Sequence, residues 1–311
     1  MSPERTQPFA PLAWLPAPLR AVLGLALLVA NTLLWCLLLF VLALLRLVLP
    51  GRAMRRLLDP LLNAVATAWI AGNSGWMRLT QPTVWDVQGL DALAYRGWYL
   101  VICNHQSWVD IFVLQHLLNR RIPLLKFFLK QELIWVPIMG LAWWALDFPF
   151  MRRHSEQVLR KHPQKRFEDL EAARRACAKF ELVPTSVMNF VEGTRFTAAK
   201  HDAQRSPYAH LLKPKAGALA MTLQLLGTRF DSLLDVTIVY PDGAPSFWQF
   251  MRGDMRRVVV RAVRRTIPPE LHAGSVEDLG QRKRVQRWLG ELWRAKDDQI
   301  GALRGAAREP P

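Results

Sequence analysis

The chain has 311 residues, of which 51% are hydrophobic and 21% charged, and its 41 Lys and Arg exceed its 25 Asp and Glu by 16. This composition excludes disordered, collagen-like and low-complexity proteins, and the length allows one large or two ordinary domains. A slightly positive mean hydropathy of +0.07 beside so much basic charge requires the apolar and basic residues to be segregated. We therefore expect an anionic membrane surface as the first partner and nucleic acid as the second.

The first predicted element is an apolar helix near the N-terminus. Residues 21–45 include no charged side chain, and at 1.5 Å per residue a helix of this length crosses a hydrocarbon core of about 30 Å. The run is longer than the roughly 7 to 15 apolar residues of a cleaved signal peptide, so we expect an uncleaved anchor. Asn31 and Thr32 at its middle, and Pro50 with Gly51 after it, leave open a bent hairpin that dips into one leaflet.

Arginines flank this run unequally. Two precede it and four follow it: Arg5, Arg20, Arg46, Arg52, Arg55 and Arg56. Because cytoplasmic flanks carry the excess of positive charge, this distribution places the bulk of the chain in the cytoplasm.

Two further apolar stretches follow. Residues 61–79 predict an amphipathic helix packed on the anchor or on the membrane surface. Residues 133–146 are uncharged, but they contain Pro137 and Gly140 and are too short to span a bilayer. This second stretch indicates either buried core or an interfacial segment, in which Trp135, Trp143 and Trp144 would lie at the level of the lipid headgroups.

The rest of the chain alternates strand and helix patterns. Short apolar runs predict strands at 98–103, 186–191, 236–240 and 258–263, and helical spacing predicts helices at 109–118, 167–180, 216–226 and 282–300. This alternation is typical of an α/β domain. We expect a membrane-anchoring region at 1–80, a catalytic domain at 81–301 and a frayed tail at 302–311.

A histidine and an aspartate follow the first of these strands. His105 and Asp110 are five residues apart, which is about 140° around a helix, so they cannot share a helix face. They meet if the helix starts between them, with Ser107 as N-cap and Asp110 at the third helical position. Asp110 is then either a helix-capping carboxylate beside a polar loop histidine, or the residue that orients His105 as a general base. No GxSxG motif accompanies the pair, so His105 would activate a substrate hydroxyl.

A glycine turn with charged neighbours follows the second strand. Glu192, Gly193, Thr194 and Arg195 combine a flexible turn, a hydroxyl and a guanidinium, which suit an oxyanion such as a phosphate. A plain turn with Glu192 paired to Arg195 on the surface is the alternative. Residues 213–217, Lys-Pro-Lys-Ala-Gly, open an apolar helix, and either a phosphate at that helix start or a solvated lysine pair explains them.

Four segments in this order resemble the blocks of a known family: NHQSWVD at 104–110, VEGTRF at 191–196, KPKAG at 213–217 and VTIVYP at 236–241. The family is that of the glycerolipid acyltransferases, which includes 1-acylglycerol-3-phosphate acyltransferases. Residues 192–201 and 130–133 look like its branch of lysophosphatidate and lysocardiolipin acyltransferases, to which a similar bacterial inner-membrane acyltransferase also belongs. Val191 departs from the proline that many members carry at that position.

The resemblance implies a fold and roles for the site residues. The fold would be a mixed sheet flanked by helices, with an N-terminal membrane helix or helical hairpin. His105 would be the general base and Asp110 its orienting partner. The residues implied for the acceptor phosphate are Glu192, Gly193, Thr194, Arg195 and Lys130, with a weaker match at Arg152.

The implied reaction moves a fatty acyl group from acyl-CoA or acyl-carrier protein to the hydroxyl of lysophosphatidate. Lysocardiolipin or another lysophospholipid is the alternative acceptor. The reaction requires no cofactor and no metal, and the three scattered cysteines, Cys36, Cys103 and Cys177, form no CxxC pair that would indicate zinc or a disulfide framework.

The implied location is the bacterial inner membrane, with the catalytic domain facing the cytoplasm. A membrane-tethered nucleic-acid-binding protein would leave the four segments unexplained, so we expect no nucleic-acid partner. The arginines of the predicted 258–263 strand and its flanks would then bind anionic membrane lipid. They are Arg252, Arg256, Arg257, Arg261, Arg264 and Arg265.

Overall fold

The computed structural model describes residues 4–6, 9–151, 174, 183–272 and 278–308. The helices in these ranges are α1 (Ala17–Val48), α2 (Arg52–Thr80), α3 (Val109–Leu118), α4 (Met139–Ala145), α5 (Ala198–Gln204), α6 (Ala216–Leu226), α7 (Phe247–Arg252) and α8 (Leu279–Arg308). The strands are β1 (Glu4–Thr6), β2 (Val84–Gln88), β3 (Tyr99–Cys103), β4 (Leu125–Phe127), β5 (Leu129–Lys130), β6 (Phe150–Met151), β7 (Ser186–Asn189), β8 (Ser232–Val239) and β9 (Arg257–Arg265). Short 3-10 helices occur at Gln131–Trp135, Gly227–Arg229 and Pro269–Leu271.

The main sheet is mixed, as predicted, and has the strand order β1-β2-β9-β8-β3-β7-β4. Strands β8, β3, β7 and β4 are parallel to one another, whereas β9 runs antiparallel to β8. Strands β5 and β6 pair separately. The carboxyl ends of four neighbouring parallel strands therefore lie at one edge of the sheet, where open α/β folds place their ligands.

Helices cover both faces of the sheet because its central strands are apolar on both sides. Every residue of β3 is buried. On one face Val101 packs with residues of α3 and with the ends of α2 and α7. On the other face Leu100 packs with α6 and α8. This three-layer arrangement is the predicted α/β architecture.

Helices α1 and α2 form an antiparallel hairpin, one of the two N-terminal arrangements that the sequence left open. The amide of Asn31 donates to Trp69 O and to Asn73 Oδ1, both at 2.9 Å. A Cβ added to Gly72 would lie 2.1 Å from Asn31 Oδ1. Glycine at this position therefore permits the close approach of the two helices.

Ion pairs join the turn end of the hairpin to the rest of the protein. Arg46 contacts Asp59 and Asp147 at 2.9 and 3.0 Å, and Arg55 contacts the same two carboxylates at 3.3 and 2.8 Å. Two of the four arginines that we counted after the apolar run are thus neutralised inside the protein.

One side of α1 is covered by protein along its length. Helix α1 is the one helix in the described ranges that is long and apolar enough to cross a membrane. In an apolar window of 18 residues of this helix, 11% is buried inside the protein. Its inner side contacts α2, α4 and α7. Its outer side exposes large apolar residues at three- and four-residue spacing, among them Leu19, Val22, Val29, Leu33, Leu37, Val41, Leu44 and Val48.

Several predicted elements are confirmed with shifted ends, and some are not. Helix α8 continues to Arg308, past the predicted start of the tail at residue 302, and residues 309–311 lie outside the described residues. The apolar stretch at 133–146 divides at Pro137, since the 3-10 helix ends before it and α4 starts after it. The elements that were not predicted include strands β1, β2, β4, β5 and β6 and helices α5 and α7. The predicted helix at 167–180 and Arg152 lie outside the described residues, apart from Arg174.

Three arginines of β9 are paired within the sheet. Arg257 and Arg261 contact Asp86 at 3.0 and 2.8 Å, and Arg265 contacts Asp235 at 3.1 Å. These three side chains therefore join neighbouring strands, and lipid binding by the arginine cluster stays a prediction.

Candidate active site

The loop between β3 and α3, residues 104–108, lies at the carboxyl edge of the sheet and is fixed to the neighbouring strand β8. The amide of Asn104 donates to Ile238 O at 2.8 Å and accepts from Ile238 N at 2.9 Å. Gln106 Nε2 donates to the same carbonyl at 2.8 Å. The Asn104 side chain thus extends the pairing of β3 with β8, and the residue that follows it is His105.

His105 and Asp110 meet across this loop. His105 Nδ1 lies 2.9 Å from Asp110 Oδ2, and the side chains are 13% and 0% exposed, respectively. Helix α3 spans Val109–Leu118, as the helical spacing predicted, so Asp110 is its second residue and not the third that a Ser107 N-cap would give. The Ser107 hydroxyl accepts from Val109 N at 3.1 Å. The histidine therefore lies on the strand-to-helix turn, as the sequence indicated.

The Asp110 carboxylate both accepts hydrogen bonds from the loop backbone and contacts the histidine, so the geometry fits either alternative, and the general-base role of His105 stays a prediction. Its Oδ2 accepts from the backbone N–H groups of Gln106 and Ser107 at 2.6 and 2.9 Å. Its Oδ1 accepts from the Tyr240 hydroxyl at 2.7 Å. An ionised carboxylate only accepts hydrogen bonds, so we assign the histidine proton to Nδ1, which leaves Nε2 free to accept one.

Tyr240 comes directly after β8 and is completely buried. Burial, reinforced by the negative charge of Asp110, raises the pKa of Tyr240 well above its ordinary value. The phenol therefore stays protonated and remains a donor to Asp110 at all pH values at which the protein would act.

Two phenylalanines form an apolar wall behind the histidine. The rings of His105 and Phe190 stack with their centroids 3.9 Å apart, and Phe190 stacks on Phe127 at 6.2 Å. Phe190 follows β7 and Phe127 ends β4. The imidazole is thus held between the Asp110 carboxylate on its edge and a ring on its face.

Glu192 joins the two loops that form the site. Its side chain is fully buried, and its two carboxyl oxygens accept from His105 N at 3.1 Å and Leu212 N at 3.3 Å. Burial raises its pKa to about 8, against the opposing effect of the two N–H donors. The structure thus gives Glu192 a loop-shaping role, and its carboxyl group does not face solvent as the predicted surface pairing with Arg195 required.

The loop between β7 and α5, residues 190–197, turns at Gly193. This residue has φ of +72°, a conformation that favours glycine, and its N–H donates to Phe190 O at 2.8 Å. Lys200 Nζ donates to Thr194 Oγ1 at 2.8 Å and to Arg195 O at 3.1 Å. Lys200 therefore holds the two predicted phosphate-binding residues in place.

Two exposed cations lie at this loop, Arg195 within it and Lys215 directly before α6. The Arg195 guanidinium lies over the exposed ring of Trp108, 5.0 Å from its centroid. Lys215 donates its backbone N–H to Val191 O at 2.7 Å, and a Cβ at Gly193 would lie 3.6 Å from Lys215 Nζ. Within the described part of the chain neither side chain has a hydrogen-bond or ion-pair partner.

Lys130, the remaining predicted phosphate residue, is less closely connected to the site. It ends β5, three residues after Phe127, and its side chain is exposed. Among the described residues it has no hydrogen-bond or ion-pair partner. The structure brings His105, Asp110 and the residues of the β7–α5 loop together, whereas Lys130 lies on the separate β5–β6 pair.

Sequence reasoning assigned no role to four of the residues that support this site. They are Asn104, Trp108, Phe190 and Tyr240. Asn104 and Trp108 lie inside the segment NHQSWVD, and Tyr240 lies inside VTIVYP. The segments therefore pointed to these residues, but they did not indicate which residues each one contacts. No group of three or more His, Cys, Asp or Glu residues that could hold a metal occurs in the described ranges.

Known proteins resemble this chain in sequence and in fold. The family model described as Acyltransferase matches residues 84–241, just over half of the 311 residues. Mouse 1-acyl-sn-glycerol-3-phosphate acyltransferase epsilon is 25% identical over 224 residues, which cover 64% of this chain and 56% of the relative. The 1-acyl-sn-glycerol-3-phosphate acyltransferase of Cocos nucifera is 29% identical over 125 residues, which cover 40% of this chain and 33% of the relative.

The chain spans about half the length of the curated relatives it matches, or less. A solved structure described as the 1-acyl-sn-glycerophosphate (LPA) acyltransferase PlsC of Thermotoga maritima resembles the whole fold. Its TM-score is 0.50 at 16% identity, with 92% of this chain and 98% of that chain covered. At this identity the likeness establishes the fold.

Proposed function

Because this chain belongs to the Acyltransferase family, we propose that it transfers a fatty acyl group from a thioester donor to the free hydroxyl of lysophosphatidate, giving phosphatidate. The observation that carries the proposal is the His105–Asp110 pair, at 2.9 Å, beside the exposed cations Arg195 and Lys215. The names of the relatives, all 1-acyl-sn-glycerol-3-phosphate acyltransferases, support the acceptor.

The proposed chemistry uses His105 as a general base. Nε2 removes the proton of the acceptor hydroxyl while that oxygen attacks the thioester carbonyl, and Asp110 stabilises the imidazolium that forms. The carbon–sulfur bond then breaks, and the thiolate leaves with the proton returned from the imidazolium. The products are the acylated lipid and the free thiol of CoA or acyl-carrier protein, and we propose no cofactor or resident metal.

The proposed binding site for the acceptor phosphate is the exposed face of the β7–α5 loop. Arg195 and Lys215 supply positive charge there, Thr194 supplies a hydroxyl, and the buried Glu192 keeps the loop in shape. Charge-assisted hydrogen bonds to a phosphate are stronger than bonds between neutral groups, and guanidinium suits a phosphate because it offers paired donors. Lys130 would add charge from the neighbouring edge of the sheet.

The membrane features fit lipid substrates. The exposed apolar side of α1 would lie in the bilayer and keep the site close to poorly soluble acceptors and acyl chains. We propose the bacterial inner membrane as the location, with the catalytic domain on the cytoplasmic side, in keeping with the basic residues that surround the apolar run.

The test is an acyl-transfer assay on membranes that contain the protein, with oleoyl-CoA and lysophosphatidate. We expect His105→Ala to lower the rate by about 10²- to 10⁴-fold at equal protein levels. His116→Gln, which alters another partly buried histidine at the far end of α3, serves as the matched control and should retain activity. Full activity in His105→Ala would contradict the mechanism, and transfer only to lysocardiolipin or another lysophospholipid would change the acceptor.

A further inference from the structure

The segment between β5 and the end of α4 exposes a group of large apolar side chains. We define the apolar tip as Trp135, Val136, Ile138, Leu141 and Trp144, whose exposed fractions are 85%, 36%, 38%, 57% and 45%. Pro137 between them is exposed as well. Contiguous exposed apolar surface of this kind marks a site of interaction with another molecule or a membrane.

The backbone of the tip is specifically folded. Met139 N donates to Pro137 O at 2.6 Å around Ile138, whose φ of 64° and ψ of −58° define a γ-turn that is rare and strained. Gly140 N donates to Val136 O at 2.8 Å, and a Cβ on Gly140 would lie 2.0 Å from Ile134 O. Ile138 is β-branched and would not adopt this conformation without support. The surrounding structure therefore holds the turn that exposes the apolar side chains.

The tip is carried by a helix that packs on α1. On the inner side of α4, Ala142 and Ala145 pack in one cluster with Cys36 and Leu39 of α1. Arg46 Nη2 donates to Ala145 O at 2.8 Å at the end of the helix. Helix α4 is therefore fixed to the second half of α1, and both helices also expose large apolar residues.

We propose that the apolar tip is a second membrane contact, which inserts into the interfacial layer of the leaflet that α1 meets. Two features favour a bilayer as the occupant. The tip is fixed to α1, a helix of membrane-crossing length whose other side exposes apolar residues. Its two tryptophans suit the headgroup level, where one end of the indole is apolar and the other wet. The proposal goes beyond the proposed function, from which it takes only the membrane location, and it requires no acyl transfer.

The first test measures membrane insertion of Trp135 in the full-length protein reconstituted into phosphatidylcholine–phosphatidylglycerol vesicles. Brominated lipids quench tryptophan that lies within the bilayer. The difference in fluorescence between the wild type and Trp135→Phe reports on Trp135. We expect brominated lipid to quench this difference strongly. Trp98→Phe is the matched control because Trp98 precedes β3 at the opposite edge of the sheet, and the fluorescence that it removes should be unquenched.

The second test measures vesicle binding by flotation after dilution from detergent. Trp135→Ser combined with Trp144→Ser should weaken binding on the order of tenfold, because two indoles lose their apolar contact. Tyr95→Ser removes an aromatic residue of 50% exposure from the loop before β3 and should bind as the wild type does. With lysophosphatidate in detergent micelles the double variant should keep wild-type activity.

Unquenched Trp135 together with unchanged vesicle binding would overturn the proposal. Formation of a stable dimer that the double variant abolishes would assign the tip to a second copy of this chain instead. A wild type inactive on micelles and vesicles, with Trp135 still quenched, would reject the proposed function and leave the membrane contact intact.

Discussion

The β3–α3 and β7–α5 loops meet at the same edge of the sheet but are built in opposite ways. In the β3–α3 loop the polar groups satisfy one another, since Asp110 receives three donors and approaches His105, and Asn104 pairs with β8. At the β7–α5 loop, Arg195 of the loop and the neighbouring Lys215 are exposed, and no described residue forms a hydrogen bond or ion pair with either side chain. The polar groups of the first loop are satisfied within the protein, and we propose that an anionic ligand satisfies those of the second.

This difference indicates how the site divides its work. A proton acceptor must already be held in the correct tautomer and orientation when substrate arrives, so its hydrogen bonds are internal. A phosphate site must keep donors unpaired, because pairing them inside the protein would compete with the ligand. Changes in the first loop should therefore lower the rate constant, and changes in the second should weaken acceptor binding.

Asp110→Asn should have the largest effect. The amide that replaces the carboxylate can donate to His105 Nδ1, which favours the wrong tautomer and leaves Nε2 protonated. We expect kcat to fall on the order of 10³- to 10⁴-fold while KM for lysophosphatidate changes little. The measurement is steady-state kinetics on protein whose melting temperature is reported beside the rates. A loss of less than tenfold would show that orientation by Asp110 is dispensable.

Lys215→Met should have the next effect and should act on binding. Removing one charge-assisted contact with a phosphate should raise KM for lysophosphatidate on the order of tenfold, with kcat within about twofold. Lys213→Met is the control, because Lys213 is exposed two residues earlier and does not lie against Gly193. If the two substitutions raised KM equally, Lys215 would contribute only to the general positive charge of the surface and would not contact the phosphate.

Glu192→Gln should have the smallest of these effects. It should lower the stability of the folded protein by an amount that depends on pH. The folded-state pKa of about 8 lies above the ordinary value near 4.5, so the folded protein binds the proton more tightly than the unfolded chain. The stability due to this protonation is complete below pH 4.5 and is lost as the pH rises to 8.

The variant tests both the burial of Glu192 and the sign of this dependence. At pH 5 glutamine should cost about 1 kcal/mol, because its amide nitrogen cannot accept one of the two backbone N–H groups. This cost should shrink as the pH rises to 8, since only the wild type loses stability there. The measurement is the melting temperature of the wild type and of Glu192→Gln from pH 5 to 9. A difference independent of pH would mean that Glu192 stays ionised in the folded protein.

Local patterns predicted the parts of the site that depend on neighbouring residues in the chain. The strand before His105, the helix that carries Asp110 and the glycine turn at Gly193 could all be predicted, because apolar runs and turn residues act over a few positions. Contacts with β8 could not. Asn104 reaches Ile238 and Asp110 reaches Tyr240 across 134 and 130 residues, a pairing that only the sheet order determines.

The N-terminal region shows the same limit. Composition predicted a long apolar helix, but it did not predict that one side of α1 is covered along its length. That covering depends on small or polar residues at contact points, such as Gly72 against Asn31, and on the strand order that places α4 and α7 beside α1. Strand β2 was missed because its alternating sequence VWDVQ carries a buried aspartate that pairs with arginines of β9.

The most direct test of the central claim, that His105 and Asp110 act as one unit, is the acyl-transfer rate of the double variant His105→Ala/Asp110→Asn. Residues that act as a unit give effects that are far from additive, since losing one removes the function of the other. We expect the double variant to retain the same residual rate as His105→Ala alone. A further loss equal to that of Asp110→Asn in the wild-type background would contradict it, because the aspartate would then contribute without the histidine.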